Sequence, residues 1–388
     1  MWVAEKLTAD PHVVPFDDIV GPEGPVRKWL RSTSETLPLF VQKSSNSVHR
    51  SFGLISRGIT PALERLQPEV VHLHWMGSGT MSLREIGEIA RPVVWTLHDS
   101  WPFCGAEHHP ESPVDVRFRE SYSRASRSPG NSRADVDAWT FRRKKRLFGN
   151  PRWLVGPSTW MVDQAATAAL THGWPATVIP NPIDTDVFAP VDQQEARRRL
   201  GIDPHAQLAL FGGMAAAQVH GKGWDLLEQA LQSLAPNGQQ WEVRIFGADA
   251  PVAEVAGVPI TSIGVVDDPR TLATWYSAAD VHVVPSRMES FSQTAAEAIA
   301  CGTPVVAFKV GGLTDVVADA DLGILVEPFD VGAFGAAMQA APALKVRTRQ
   351  AGPRHAHATW RPEVVANEYL AVYRAARETW AAFPAPPV

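Results

Sequence analysis

Two carboxylates stand eight positions apart in the segment PSRMESFSQTAAEAIACGTPVVAFKVGG, which spans residues 285–312. Glu289 follows a strongly apolar run, and Glu297 lies in a helical pattern that ends at Gly302. In doubly wound sheets, ligands bind beyond the carboxyl ends of the strands, where loops lead into helix N-termini. A helix start offers unpaired N–H groups and the positive dipole end to a pyrophosphate. One carboxylate can then hold the hydroxyls of a transferred group, and the other those of a ribose.

Short apolar runs alternate with helical patterns along most of the chain, which predicts βαβ units and parallel sheets. We expect strands at residues 70–75, 92–98, 153–158, 208–213, 241–247, 281–286, 304–310 and 323–328. Helices are expected between them, among them residues 224–234, 269–280 and 361–378. The predicted fold class is therefore α/β, and two facing Rossmann-like doubly wound domains would bind a ligand in the cleft between them.

The length of 388 residues predicts two domains. Residues 178–192, which contain three prolines, resemble an interdomain linker. We expect an N-terminal domain over residues 1–155 and a C-terminal domain over residues 156–360. Helical spacing in the tail predicts that residues 361–388 pack back on the N-terminal domain.

Composition excludes several classes of protein. The net charge of −5 does not fit a nucleic-acid-binding surface, and 45% hydrophobic with 20% charged residues is typical of a soluble globular chain. No apolar run reaches the roughly 18–20 residues that a membrane span needs. Two cysteines give no disulfide framework, and the first residues lack the pattern of a signal peptide. These features together predict a cytoplasmic protein.

Several segments together resemble the retaining family-4 glycosyltransferases, which have two facing Rossmann-like domains of the GT-B type. The first is the pair of glutamates followed by AIACGTPVVAFKVGG. The others are GPSTW, VIPNPIDTDVF, GKGWDLLEQAL and YSAADVHVVPSRMES. HLHWMGSG and TLHDSWPF, at residues 72–79 and 96–103, are closer to the colanic-acid and exopolysaccharide subset. The resemblance covers nearly the whole chain.

The resemblance implies a role for individual residues. Glu289 would contact sugar hydroxyls, Lys222 would neutralise the diphosphate, and His98 would face the sugar across the cleft. Glu297 would hold the ribose. The remaining expected donor contacts are backbone or turn positions, namely Gly212, Gly213, Phe291, Ser292, Gln293, Gly264 and Val265.

The implied reaction moves a hexose from a nucleoside diphosphate sugar to a hydroxyl acceptor with retention, without a metal or other cofactor. A UDP-sugar is the expected donor and a GDP-sugar the alternative. The acceptor is open, and a lipid-linked one is among the candidates. Extracellular polysaccharide and glycosylated natural-product synthesis both fit. A nucleotide-sugar epimerase or phosphorylase on the same fold remains an alternative, as does an inactive nucleotide-binding scaffold subunit.

Two departures from the family pattern bear on these expectations. Many relatives carry an Arg where this chain has Met214, and His220 is a weak substitute for that second cation. The chain also begins at what resembles the second strand of the family pattern, so the opening strand is expected upstream. A zinc site built from His98, Cys104, His108 and His109 fits no standard spacing, and we expect no metal.

A basic segment within the N-terminal domain could serve an anionic partner. Between Asp115 and Asn150 there are ten Arg or Lys and four Asp or Glu residues. The five consecutive cations are Arg142, Arg143, Lys144, Lys145 and Arg146. They predict either a solvated helix or peripheral contact with the inner face of a membrane.

Overall fold

The computed structural model describes residues 1–3, 9–43, 48–110, 115–127, 130–234 and 240–381. The chain divides into two compact units. The N-terminal unit contains Met1–Gly156, Met161–Val178 and the chain from Leu370 onward, and the C-terminal unit contains Pro157–Trp160 and Ile179–Tyr369. Residues 161–178 thus group with the N-terminal unit rather than with the predicted C-terminal domain. Residues 382–388 of the predicted tail lie outside the described residues.

The N-terminal unit is built on a parallel sheet. Its strands are β1 (Trp2–Val3), β2 (Val14–Pro15), β3 (Gln42–Lys43), β4 (Val71–Leu73), β5 (Val93–Thr96), β6 (Ser132–Arg133), β7 (Trp153–Gly156) and β8 (Ala176–Val178). The main sheet has the order β4-β5-β7-β8, and all its neighbours are parallel. β1 pairs with β2 in parallel, and β3 pairs with β6 antiparallel.

The helices of this unit flank the sheet and its loops. They are α1 (Phe16–Val20), α2 (Pro25–Thr36), α3 (Thr60–Leu66), α4 (Leu83–Glu88) and α5 (Val136–Leu147). A 3₁₀ turn, Leu37–Val41, follows α2. Ser82 and Glu85 form a capping box at the start of α4, which satisfies amides that have no intrahelical partner. α6 (Thr159–Thr167) contains residues of both units.

The C-terminal unit contains a seven-stranded sheet. Its strands are β9 (Gln207–Gly212), β10 (Trp241–Phe246), β11 (Glu254–Val255), β12 (Val258–Gly264), β13 (Val281–Val284), β14 (Val305–Phe308) and β15 (Gly323–Val326). The order is β11-β12-β10-β9-β13-β14-β15. Only β11, at one edge, runs antiparallel among these strands. The six parallel strands follow the Rossmann order, in which the first strand of the unit lies beside the fourth.

Helices cover this sheet. They are α7 (Gln193–Leu200), α8 (Trp224–Leu231), α9 (Pro269–Ala278), α10 (Gln293–Ala300), α11 (Leu313–Val316), α12 (Val331–Ala340) and α13 (Lys345–Thr359), and α14 (Pro362–Ala381) contains residues of both units. Small residues allow close packing here, because a Cβ on Gly352 of α13 would overlap the carbonyl oxygen of Ile299 on α10. Within the described residues, no helix is long and apolar enough to cross a membrane.

The predicted α/β fold class is confirmed, and the eight predicted strands all occur; β9 is as long as its apolar run, and the other seven are shorter than theirs. Three strands of the main sheets, β8, β11 and β12, were not predicted. In β12 buried and exposed residues alternate at first and none of the last three is fully buried, so the sequence lacks a continuous apolar run.

Candidate functional site

The winding of the C-terminal sheet reverses between β9 and β13, and this is where ligands bind in sheets of this kind. The loop after β9 contains the turn Gly212–Gly213, and the loop after β13 leads through Glu289 into α10. The predicted donor residues therefore lie at the carboxyl edge of one sheet. Gly213 has a φ of +136°, and the nearest atom to a Cβ placed there would be Cγ2 of Thr294, 4.0 Å away.

The Glu289 side chain is held by two donors. Ser286 Oγ donates to Oε1 at 2.7 Å, and Lys222 Nζ donates to the same oxygen at 2.8 Å. The carboxylate is only 11% exposed, and the lysine side chain is 36% exposed. The structure thus brings together two residues that are 67 positions apart and that were predicted to act on the same ligand.

Lys222 ends a 3₁₀ turn that is fastened to the loop after β13. Gly223 has a φ of +74°, and a Cβ there would overlap the carbonyl oxygen of Pro285. The Arg287 amide donates to the carbonyl of Gly221 at 2.8 Å, and its guanidinium pairs with Asp225 at 2.6 and 2.8 Å. These contacts position Lys222 by its backbone and leave the long side chain able to move.

A glycine pair supports the backbone of Glu289 from the other side. The Gly312 amide donates to the Glu289 carbonyl at 2.8 Å, and a Cβ on Gly311 would overlap that carbonyl. The Ser158 hydroxyl donates to the Ser290 carbonyl at 2.7 Å. The glycines of the motif are therefore required by close backbone approach.

The start of α10 has the features of an anion-binding site. Phe291 is buried, Ser292 is the N-cap with a φ of +89°, and Gln293 is the first helical residue. A left-handed conformation is costly for a serine, by about 1–3 kcal/mol, and such strain is concentrated at functional sites. The first amides of a helix have no intrahelical acceptor, and the dipole adds positive potential.

Glu297 lies one turn into α10 and has an unexpected partner. Tyr276 Oη donates to its Oε2 at 3.0 Å. Burial raises the pKa of Glu297 to about 7, although hydrogen bonds from Tyr276 and Gln293 oppose that rise. The carboxyl group is consequently poised between its charged and neutral forms at neutral pH.

The turns after the neighbouring strands are linked to the Gly212–Gly213 turn. The Ala215 amide donates to the Gly247 carbonyl at 2.8 Å, and the Gly247 amide donates to the Gly264 carbonyl at 2.8 Å. Val265 follows Gly264 and is exposed. Met214, at the position where an Arg was expected, is 91% exposed and brings no charge.

His98 belongs to the N-terminal unit. It follows β5, and its Nε2 lies 2.9 Å from His74 Nδ1. Burial lowers the pKa of His98 and lowers that of His74 to about 4, so the pair is neutral at pH 7. His72 and His74 lie on the same side of the strand, with ring centroids 4.2 Å apart. Residues two apart on a strand share a face.

The sequence also contains His98, Cys104, His108 and His109 as possible metal ligands. Among the described residues there is no group of three or more His, Cys, Asp or Glu that could hold a metal. His108 instead bonds to Asp99 Oδ2 at 2.6 Å and to Ser51 Oγ at 2.8 Å, and all three are buried.

The five consecutive cations of α5 do not form one charged surface. Lys144 is fully buried, and its Nζ donates to the carbonyls of Trp101, Cys104 and Gly105. Arg143 is half-buried and donates to the Phe52 carbonyl at 2.7 Å. Those two cations are therefore structural, and Arg142, Lys145 and Arg146 are the exposed ones.

Four residues near the site were missed by sequence reasoning. Ser286, Thr294, Tyr276 and His74 contact or adjoin predicted residues. A signal for His74 was present, since it and His98 each follow neighbouring parallel strands. No sequence signal pointed to Tyr276, which is 21 positions from Glu297.

Two protein families match the chain. "Glycosyl transferases group 1" matches residues 206–341, and "Glycosyltransferase Family 4" matches residues 18–187. A D-inositol 3-phosphate glycosyltransferase from Kribbella flavida is 33% identical over 341 residues, which cover 81% of this chain and 73% of the relative. One of the same name from Geodermatophilus obscurus is 38% identical over 222 residues, 53% of this chain and 48% of that relative. The match thus spans about half of the second relative.

Solved structures show the same fold. Sucrose-phosphate synthase from Thermosynechococcus elongatus superposes with a TM-score of 0.66 at 22% identity, over 97% of this chain and 86% of that one. Anabaena HepE in complex with UDP-glucose gives a TM-score of 0.56 at 15% identity, over 83% and 82% of the two chains.

Proposed function

Because this chain belongs to glycosyltransferase family 4, we propose that it transfers a hexose from a nucleoside diphosphate sugar to a hydroxyl acceptor with retention of anomeric configuration. The observation that carries the proposal is the contact between Lys222 and Glu289 beside the start of α10, at the point where the sheet reverses. In this contact, Lys222 is the cation proposed to bind a diphosphate, and Glu289 is the carboxylate proposed to accept hydrogen bonds from sugar hydroxyls.

We assign the diphosphate to Lys222 and to the amides of Phe291, Ser292 and Gln293. Charge accumulates on the leaving diphosphate as the glycosidic bond breaks, and preoriented donors stabilise that charge without reorganising. A lysine suits a phosphate as a mobile point charge. In this arrangement the diphosphate is neutralised by protein groups, without a metal.

Glu289 is assigned to the hydroxyls of the transferred sugar, with Ser286 orienting its carboxylate. The departing phosphate oxygen is the base that takes the proton of the acceptor hydroxyl, on the face from which the diphosphate leaves. This step retains the anomeric configuration and needs no protein base. We also propose that His98, a residue of the N-terminal unit, contacts the sugar.

The nucleoside is assigned to Glu297 and to the glycine turns. Glu297 would accept the ribose hydroxyls, and Gly212 and Gly213 would let the backbone approach the nucleotide closely. Gly264 and Val265 extend the same edge of the sheet toward the base. UDP is the proposed carrier and GDP the alternative, and the HepE complex with UDP-glucose supports the first.

The proposed acceptor is based on the names of the related proteins. Two that match this chain are named D-inositol 3-phosphate glycosyltransferases, which supports a phosphorylated cyclic polyol as acceptor. A polysaccharide or natural-product intermediate, including a lipid-linked one, is the second acceptor class. It is favoured by the resemblance of residues 72–79 and 96–103 to exopolysaccharide enzymes.

A donor screen followed by a transfer assay tests the proposal. Thermal unfolding is measured with UDP, GDP and ADP, because a ligand at 100 times its Kd stabilises by about 2.7 kcal/mol. The purified chain is then given the matching sugar nucleotides with inositol 3-phosphate. Formation of a product whose anomeric proton shows retention is expected. Release of free sugar alone, or no nucleotide binding, would remove the proposal.

A further inference from the structure

Helix α2 presents its polar side to the protein and its apolar side outward. Arg27, Arg31 and Glu35, which are spaced four residues apart, share one face of the helix. Arg27 donates to the Ser56 carbonyl at 3.1 Å, and Arg31 makes two bonds to Glu23 at 2.7 and 2.9 Å. Glu35 accepts the amides of residues 52 and 53 at 2.8 and 3.0 Å. No residue of α2 is buried.

The opposite side of α2 and the turn after it form an exposed apolar surface. Trp29 is 63% exposed and Phe40 is 75% exposed. We call this surface the apolar face; its residues are Val26, Trp29, Leu30, Leu37, Leu39, Phe40 and Val41. Apolar residues scattered singly over a surface are ordinary, but seven within sixteen positions mark an interaction site.

The apolar face adjoins the exposed side of α5. The Val41 carbonyl accepts the Ala134 amide at 3.1 Å, so the turn lies against the start of that helix. Trp139 of α5 is 40% exposed, and Arg143 stacks on its ring at 4.7 Å. Arg143 also donates to the Phe52 carbonyl, while Glu35 of α2 accepts the Phe52 amide. Both helices are thereby fixed to the same backbone segment.

Exposed cations lie on both helices next to this apolar face. Lys28 on α2 is exposed, as are Arg142, Lys145 and Arg146 on α5. A cavity of about 550 Å³ opens beside Leu39, and Lys28 and Glu35 are in its lining. Arg31 and Arg50 also line it, but each is paired with an acid, Glu23 and Asp137 respectively. Exposed cations next to exposed tryptophan and phenylalanine match a boundary between phosphate headgroups and acyl chains.

We propose that the apolar face docks onto a bilayer surface that contains anionic lipid. Trp29, Phe40 and Trp139 would enter the interface, and the exposed cations would lie over the headgroups. A symmetric dimer through this face would instead bring the same cations of two copies together, which costs energy. This inference does not depend on the donor or the acceptor. It replaces the sequence expectation that five consecutive cations of α5 make the contact.

The direct test places a probe on the apolar face. Cys104 and Cys301 are both buried, so a Phe40→Cys variant can be labelled selectively with an environment-sensitive fluorophore. Leu66→Cys, at an exposed position of α3, is the matched control. With vesicles of phosphatidylcholine and phosphatidylglycerol at low salt, we expect a blue shift at position 40 and none at position 66. Equal shifts at both sites, or none at either, would overturn the proposal.

Co-sedimentation with the same vesicles separates the contribution of the exposed aromatic side chains from that of the exposed cations. Trp29→Ser with Phe40→Ser should lower partitioning about tenfold or more, since two exposed aromatic side chains no longer insert. Replacing Arg142, Lys145 and Arg146 by Gln should lower it about fivefold per charge at low salt, and the loss should vanish at 1 M salt.

Val346→Ser, at an exposed apolar position of α13, is the control and should bind as the wild type. All variants replace exposed residues, so unchanged thermal unfolding is expected and is checked for each. Partitioning that is insensitive to both sets would exclude this face. Absence of vesicle binding together with a dimer that Phe40→Ser dissociates in sedimentation velocity would assign the face to a second copy.

Discussion

Lys222 and Glu289 form an ion pair in which Nζ lies 2.8 Å from Oε1, and the same carboxylate oxygen also accepts the Ser286 hydroxyl. Without a donor, the charge of the lysine is therefore met by the glutamate that is proposed to hold the sugar. In the proposed complex, the diphosphate draws Lys222 away from Glu289 and a sugar hydroxyl takes its place. Diphosphate and sugar binding would then be linked through one lysine side chain.

The first prediction follows from this competition. In Glu289→Ala, Lys222 has lost its partner, so UDP affinity should stay unchanged or rise while turnover falls strongly. Titration calorimetry with UDP and a transfer assay measure the two effects. Glu254→Ala, an exposed glutamate on β11, is the matched control and should change neither. A loss of UDP affinity equal to that of Glu297→Ala would contradict the assignment of the two glutamates.

The second prediction concerns Lys222 itself. Lys222→Ala should weaken UDP binding by about 1.5–3 kcal/mol, the range for hydrogen bonds to charged groups, and leave uridine binding unchanged. The lysine is expected to meet only the phosphates. Arg270→Ala removes one exposed positive charge elsewhere in the unit and controls for net charge. Parallel losses for UDP and uridine would make Lys222 a structural residue.

The third prediction uses the titration of Glu297. Its pKa is raised to about 7 by burial, and the ribose hydroxyls need the carboxylate as acceptor. Uridine affinity should therefore rise as the pH increases from 6 to 8, and binding below pH 7 should release a proton. Uridine is used because it carries no phosphate that titrates in this range. Calorimetry in buffers of different ionisation enthalpy measures the proton, and Glu297→Gln should abolish its release.

The fourth prediction tests the partner of Glu297. Tyr276 donates to the carboxylate and so favours its charged form. Tyr276→Phe should raise the pKa of Glu297 further, and the pH midpoint of uridine binding should move upward. Thr274→Val on the same helix is the control, because the Thr274 hydroxyl donates to the Arg270 carbonyl within the helix. A midpoint that stays in place would show that another group controls the pH dependence.

Local sequence predicted the buried strands well, because strands covered on both faces are continuous apolar runs. β13 and β14 are buried along their whole length. β12 was missed because buried residues alternate with exposed ones in its first half. β8 was missed because it has only three residues, two of them partly buried and one exposed, which carry little signal.

The part of the site whose residues belong to one continuous segment could be predicted from the sequence. Glu289 and Gly312 lie in a single motif, and their backbone contact follows from it. The partners Tyr276 and His74 come from other elements, so only the fold brings them to Glu297 and His98. The Lys222–Glu289 ion pair likewise depends on how two loops meet, since spacing along the chain does not specify side-chain contacts.

Helical periodicity could have shown from the sequence that the five consecutive cations of α5 do not all face solvent. Phe141, Lys144 and Phe148 are spaced by three and four positions, and all three are buried. A run of five cations on a helix cannot face solvent on every side, because five residues span more than one turn. Lys144 falls on the inward side, where its ammonium donates hydrogen bonds to the loop carbonyls of Trp101, Cys104 and Gly105.

The last prediction measures what that burial contributes. Lys144→Met keeps the length of the side chain but leaves three buried carbonyls without their donor, so the free energy of unfolding should fall by roughly 2–4 kcal/mol. Lys145→Met, its exposed neighbour, should lie within about 0.5 kcal/mol of the wild type. Urea unfolding of the three proteins gives the comparison. Similar values for the two variants would show that the carbonyls find other donors.

The loss of stability in Lys144→Met should also depend on pH. Burial lowers the pKa of Lys144 to about 7 from its ordinary 10.5, so the unfolded chain binds more protons between these values. The stability that the wild type has over Lys144→Met should therefore increase as the pH rises from 7 toward 10, and should be smallest below pH 7. Unfolding measured at pH 6.5 and 8.5 tests the sign. A difference that shrinks at the higher pH would mean that the three carbonyls hold the ammonium form more strongly than burial opposes it.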